Sequence, residues 1–456
     1  MFSLLREGLR EFVNLARRDT EFKLMLVVAT TLWIYTTITK FPFIAPSNYS
    51  DVGYLWFRDV YLGQHNMAIP YVAYKLEYPQ VIGAIIWLGQ VIGTYLPIVL
   101  DQYNTYMAAE SVLQYPFMIG TIYNIYMLCT KLRIDRKRIY LYLLSTLTFI
   151  VYGFYNWDFV VAYFVSLAIW FYLEKRYDAS SLALAGGILS KFIPICMAPA
   201  MVACLPNNKA RLRFVAIAAT VWGVVNAPFA YANFSLWLQL FTHTSGHQLQ
   251  NTWISMATST LGFGDAISGR TAGHLLSLLI IGYLILRAIS SDRKPLEKIL
   301  LSWYAWYGAI YLFDPQMWIQ LFPIVILTPN FDFILYRIAD VFNAFIIMFY
   351  FIGGNNPQLP NYLKDQLTPF GLINTVAALR QVIVLGAYFF AFNPPWQKRV
   401  KTFLGTLKSP IRQEPRERVK PRRKTDLKSR KKYQKTIMNR LGERTFKAFK
   451  AAILWN

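Results

Sequence analysis

The chain has 456 residues, 55% of them apolar, yet its formal net charge is +23. Only 16% of the residues are charged, against about 25% in a soluble globular domain, and they are clumped: residues 398–450 hold 20 Lys and Arg against four Asp and Glu. An ordinary soluble domain is excluded, and three cysteines, Cys129, Cys196 and Cys204, in or beside apolar runs, form no disulfide or zinc framework and read as buried thiols.

In residues 1–21, Phe2, Leu5, Leu9, Phe12, Val13 and Ala16 recur at helical spacing with Arg6, Arg10, Arg17 and Arg18 between them. That pattern predicts an amphipathic helix lying in the membrane interface. The apolar run 24–39 lacks a small-residue cleavage site, so it is expected to stay as the first span. Further apolar runs fall at about 80–98, 109–130, 139–156, 159–173, 180–205, 214–231, 271–288, 297–313, 317–336, 338–353 and 371–393, and a span needs about 20 residues.

Loops rich in Lys and Arg mark the cytoplasmic side, which puts both the N-terminus and the tail there. Loops 41–79, 156–158, 232–270 and 354–369 then face outward, the first being large. Parity leaves two anomalies. Run 80–98 must be re-entrant or begin inside a cavity, and run 180–205 fits two half-helices broken near Lys191 and Pro194 better than one full span. Broken helices are tolerated at membrane depth where they line a wet cavity. The expected fold is an all-α polytopic integral membrane protein of about 11 to 13 segments. Residues 22–395 would form the transmembrane domain and 396–456 a basic tail. No internal repeat is visible.

Several side chains could carry chemistry. Asp51 follows the first span, with Tyr54, Trp56 and Tyr61 after it, and the same loop ends in Glu77-Tyr78-Pro79. A solvated loop acid is the plain alternative for Asp51. Asp158 closes the turn Asn156-Trp157-Asp158. Lys191 lies within an apolar segment, where an ionisable group costs about 2.5–3.5 kcal/mol; snorkelling, pairing with Asp158 and binding an anion would each account for it. Loop 232–270 holds His243, His247 and Asn251; HxxxH without a third ligand is weak evidence for a metal. Phe313-Asp314-Pro315-Gln316-Met317-Trp318 forms another outer turn. No P-loop, GxSxG or HExxH occurs, and Gly262-Phe263-Gly264 follows no strand, so nucleotide chemistry of the soluble type is excluded.

Taken in order, Asp51, Glu77-Tyr78-Pro79, Asp158, Lys191 to Pro194, Asn226-Ala227-Pro228-Phe229 and Pro315-Gln316-Met317-Trp318 resemble the motifs of the GT-C integral-membrane glycosyltransferases. Within them the order is most similar to glycosyltransferase family 87, which uses polyprenyl-phosphate mannose. The resemblance covers roughly residues 20–335 and implies inverting transfer of a hexose, expected to be mannose, on the extracytoplasmic side. It implies a polyprenyl-phosphate sugar as donor and a glycan or glycolipid as acceptor, with no cofactor and no required metal. Asp51 would be the general base. Tyr54, Glu77, Tyr78, Asp158, Lys191, His243, His247, Asn251, Gln316 and Trp318 would bind substrate, with Lys191 on the leaving phosphate.

The basic tail is expected to bind anionic membrane lipids rather than nucleic acid. The rival readings are a polytopic transporter or lipid flippase with Asp158 and Lys191 lining its pathway, and a non-catalytic scaffold. The large aromatic outer loop and the missing repeats argue against the transporter.

Overall fold

The structure is a computed structural model and describes residues 2–41, 49–65, 67–96, 100–145, 147–246, 249–262, 267–328, 333–355, 358–364, 368 and 370–392. The basic tail and His247 lie outside the described residues. Among those described, secondary structure is helical apart from isolated bridges at Pro70–Tyr74 and Gln250–Leu312. Among the described residues four helices are long and apolar enough to cross a membrane: Thr20–Ile38, Asn208–Ala232, Gly269–Ile289 and Leu372–Ala391. Asn208–Ala232 leaves Leu212, Val215, Val224 and Tyr231 exposed, and Ile267–Ile289 does the same with Leu275, Leu279 and Leu286. Apolar faces of this extent are a liability in water and ordinary against lipid. The chain is an all-α membrane protein.

An amphipathic helix, Phe2–Arg18, leads in and ends on Arg17 and Arg18, cations favoured at the negative end of a helix. Asp19 restarts the chain by accepting the amide of Phe22 at 3.0 Å. The centre of the fold is Gln102–Leu132, begun by Asp101, which caps the amide of Asn104 at 2.8 Å. Packed on it are Thr20–Ile38, Gln80–Tyr95 and Asp158–Leu173. The interface is aromatic: the Trp33 ring lies 6.5 Å from that of Tyr115 on the central helix and edge-on to Phe154 and Phe159.

Two irregular stretches matter for the site. Gln80–Tyr95 has 16 residues; at 1.5 Å per residue it is about 24 Å long, short of the roughly 30 Å hydrocarbon layer. Tyr177–Ile188 stops, and the chain turns through 189–192 before a single 3₁₀ stretch, Ile193–Met197, and the short helix Ala198–Ala203. Pro194 lacks the amide a continuing helix needs, so the break falls beside Lys191. There the free carbonyl of Leu189 accepts the amide of Val81 at 2.9 Å, tying both irregular stretches together.

The expected single span 317–336 is not formed. A 3₁₀ stretch, Pro315–Leu321, runs into the helix Phe322–Leu327, and a separate helix, Phe333–Asn355, follows. The sequence has Pro329 after Thr328, and the residue before a proline is driven out of the helical region.

Candidate active site

Asp51 opens the short helix Asp51–Trp56, whose cap is Ser50, its hydroxyl accepting the Gly53 amide at 3.1 Å. Gly53 lets the chain approach Tyr103 closely, since a Cβ there would push the Tyr103 hydroxyl aside. The Asp51 amide donates to the Tyr155 carbonyl at 3.0 Å, which fixes the carboxylate beside the turn before Asp158–Leu173.

That turn is the hub of the site. Asn156 Nδ2 donates to Asp51 Oδ2 at 2.6 Å and to the Tyr78 hydroxyl at 2.7 Å. Its own Oδ1 accepts the Trp157 amide at 2.6 Å. Gln316 Nε2 reaches the same Asp51 oxygen at 3.3 Å. On the other side of Tyr78, Lys191 Nζ lies 5.6 Å from the ring centroid and donates to Asp158 Oδ1 at 2.8 Å. Gln320 Nε2 donates to that oxygen at 2.5 Å, while Asp158 Oδ2 has no hydrogen-bond partner among the described residues. Asp51 and Lys191, about 140 residues apart in the chain, thus sit on either side of one asparagine–tyrosine bridge.

Two chambers meet at this bridge. The larger, about 390 Å³, is walled in part by Glu77, Tyr78, Asn156, Lys191 and His243. The smaller, about 160 Å³, holds Asp51, Tyr49, Asn251 and Tyr350. Asp314 and Gln316 border both. An apolar groove of about 550 Å³ runs along Ile188, Ile195, Trp222 and Phe241 and shares Phe192 with the larger chamber. Burial pushes the Asp51 carboxyl up to about 7, and the charge of Asp314 adds to it, against hydrogen bonds from Asn156 and Tyr49 and the charge of Lys191. A carboxyl in that range can take a proton near neutral pH, and such shifts concentrate at functional sites.

Glu77 is held differently. Arg58, on the π-helical stretch Phe57–Leu62, grips it through two hydrogen bonds of 2.7 and 2.9 Å and also holds Asp59 at 2.6 and 2.9 Å. Burial would raise Glu77, but the Arg58 guanidinium holds it below the ordinary carboxylate range. Glu77 is therefore an acceptor on the chamber wall. Arg58→Met strands two partly buried acids, and thermal unfolding in detergent is expected to show a loss of about 3 kcal/mol, the usual result of breaking a buried pair. Glu77→Gln keeps an acceptor for Arg58 and is expected to cost under about 1 kcal/mol.

Asp51, Glu77, Tyr78, Asp158, Lys191, Asn251 and Gln316 therefore converge, and His243 lines the larger chamber. Two others do not. Tyr54 is half exposed and packs on Tyr49, whose hydroxyl takes the place beside Asp51. Trp318 is buried in the core, stacked on Tyr336 at 5.0 Å. Among the described residues no three His, Cys, Asp or Glu side chains converge as a metal cage.

The structure adds members that the sequence reading passed over. Asn156 is the bridge itself, and His274 lines the larger chamber. Glu110, fully buried, accepts the Trp157 indole at 2.8 Å and so anchors the hub turn. Arg380, also fully buried, donates to the carbonyls of Asn251 and Phe313 at 3.1 and 2.6 Å, clamping two walls of the smaller chamber. Glu110, His274 and Arg380 are polar side chains inside apolar runs, the same signal that singled out Lys191. The chain matches no family model and no curated protein sequence.

Proposed function

We propose that the chain is an inverting glycosyltransferase that moves a hexose from a polyprenyl-phosphate sugar to a hydroxyl of a glycan or glycolipid on the extracytoplasmic side. The observation that carries this reading is the placement of Asp51 and Lys191 on two chambers that share Asp314 and Gln316. The order of short motifs resembling glycosyltransferase family 87 points the same way.

In this reading the larger chamber takes the donor's sugar phosphate, and the apolar groove meeting it at Phe192 takes the first isoprene units. The acceptor hydroxyl enters by the smaller chamber. Asp51 accepts its proton as the oxygen bonds to the anomeric carbon, and the bond from that carbon to the phosphate oxygen breaks on the opposite face. The electron pair leaves with the polyprenyl phosphate. Lys191 spends one N–H on Asp158 and has others for the phosphate, in surroundings where a fixed cation is worth more than in water. Asn156 and Gln316 hold the base in place. Inversion needs one base and no second carboxylate nucleophile.

The test is a panel of polyprenyl-phosphate sugars offered to the purified chain with alkyl glycoside acceptors. Transfer of a hexose, mannose first among them, with inverted anomeric configuration is the expected result. Movement of a lipid or solute across sealed vesicles with no transfer from any donor would instead favour the transporter reading.

A further inference from the structure

Lys40 follows closely on the first span, Thr20–Ile38. Lysines at the end of a span ordinarily snorkel, keeping the ammonium in water. This one is only 6% exposed. Its Nζ lies 5.3 Å from the centroid of the Tyr155 ring and makes no hydrogen bond or ion pair with the described residues. A buried ammonium is costly unless a negative charge faces it, and an aromatic face offsets only part of that cost. The charge that reaches Lys40 is that of Asp51.

Tyr155 holds both partners. Its carbonyl accepts the Asp51 amide at 3.0 Å, and its ring underlies Lys40. That ring packs 5.7 Å from Tyr49, whose hydroxyl bonds Asp51, and 5.2 Å from Tyr152. Asn156 and Gln316 donate to Asp51, and Asn156 also bonds Tyr78. Asp314 repels Asp51 but is itself coupled to the buried Arg380. Lys191 attracts Asp51, yet donates to Asp158. Lys40 differs from Lys191 in that Asp51 is the carboxylate whose charge it feels. Attraction between charges is mutual, so a protonated Lys40 favours the ionised form of Asp51. Burial lowers Lys40 to about 8, with the charge of Asp51 acting against it.

We propose that Lys40 is a positioning residue for the base: its buried ammonium, set over Tyr155, keeps Asp51 ionised at neutral pH and leaves Lys191 to the departing phosphate. This rests on the glycosyltransferase reading and gives the two lysines separate work. With Asp51 pushed up to about 7, the pair attracts between about 7 and 8. Below that window Asp51 is protonated, and above it Lys40 loses its charge. By then Asp51 is already ionised, so transfer stays level. Without Lys40 the carboxyl keeps its proton to higher pH.

The experiment uses the full-length chain in detergent and follows transfer from a polyprenyl-phosphate hexose to an alkyl glycoside against pH. In Lys40→Met the midpoint of the rise is expected to move up by about one unit. In Lys40→Arg, which keeps the charge, it should stay in place. A lysine that only packs predicts a lower rate with an unmoved midpoint, and that result overturns the proposal, as do equal shifts in both variants. Where Lys40→Met fails to fold, Lys40→Gln serves the same comparison. Melting temperatures give a readout that needs no transfer. Between about pH 7 and 8 the effects of Lys40→Met and Asp51→Asn should not add in the double variant, since the two charges interact. At pH 5, where Asp51 is protonated, they should add. Additivity at both pH values overturns the proposal. Coupling in the melting data without any sugar transfer supports the Lys40–Asp51 pair while sinking the glycosyltransferase reading, so the two failures are told apart.

Discussion

Replacing Asp51 by Asn is expected to lower sugar transfer about a thousandfold, mid-range for loss of a positioned general base, with little change in donor KM. The substitution is nearly isosteric and keeps an oxygen that can accept from Asn156, which lies 2.6 Å away. What disappears is the ability to hold the acceptor's proton. The pH profile gives a second readout. With the Asp51 carboxyl pushed up to about 7 by burial, the base is ionised only above that range. Transfer at low acceptor concentration should therefore rise with pH through about 7 and level off, and the residual activity of Asp51→Asn should lack this step.

The stability consequence has the opposite sign from that of a salt-bridged acid. Because the folded carboxyl binds its proton more tightly than its ordinary value of 3.8, its contribution to stability is present below that value and is lost as pH rises to about 7. At pH 8 the Asn variant, with no charge to bury, should melt no lower than the unaltered chain. A variant that is inactive and also melts well below it would argue for a structural acid and against a base.

Two charged residues, Lys191 and Asp158, stand out in the sequence for one reason. An ionisable side chain in an apolar setting is costly and stands out from its neighbours. Lys191 and Asp158 are visible on that ground, and the break at Pro194 is visible because proline cannot continue a helix. The same reasoning, applied to Glu110, His274 and Arg380, would have marked them too. The average hydropathy of the runs around them hides them.

Asn156 is a harder case. Nothing local distinguishes a bridging asparagine from one in an ordinary turn, and its role exists only because Gln80–Tyr95 and the start of Asp51–Trp56 bring Tyr78 and Asp51 to it. Trp318 failed as a site residue for a geometric reason. In a 3₁₀ stretch with three residues per turn, residues three apart share a face, so Gln316 and Trp318 point in different directions. Gln316 reaches Asp51 while Trp318 stacks on Tyr336.

The fold divides along similar lines. The long helices Thr20–Ile38, Asn208–Ala232 and Leu372–Ala391 follow from apolar composition over enough residues. Run 317–336 reads as one span only because an average over twenty residues passes across Pro323 and Pro329. The 3₁₀ stretch Pro315–Leu321, which ends just before Pro323, turns Gln316 and Gln320 toward the site.

The second large effect concerns Lys191, and its difficulty is that the residue has two roles to separate. Lys191 and Asp158 form a buried pair, with side chains 8% and 1% exposed. Removing the lysine alone leaves an uncompensated buried carboxylate at a cost of about 3–5 kcal/mol, so Lys191→Met should lower both stability and transfer, and its inactivity says little. The informative variant removes both charges. Lys191→Gln with Asp158→Asn preserves size and hydrogen bonding, including an acceptor for Gln320, which now donates to Asp158 at 2.5 Å. Neutralising a buried pair is often close to neutral for stability, so the double variant should melt near the unaltered chain.

Transfer should not return with stability. If Lys191 stabilises the departing phosphate, the double variant keeps a loss of about 100-fold or more in kcat, the size seen when one fixed charge-stabilising group is removed. The loss should shrink for a donor whose phosphate is a better leaving group, because less charge then needs to be stabilised. A pair that serves only to hold the turn 156–158 against the break at 189–192 predicts the reverse: the double variant recovers transfer along with its melting temperature, and leaving-group ability makes no difference. Recovery of that kind would remove Lys191 from the chemistry, leaving Asp51 without the cation that the sugar-transfer mechanism requires opposite it.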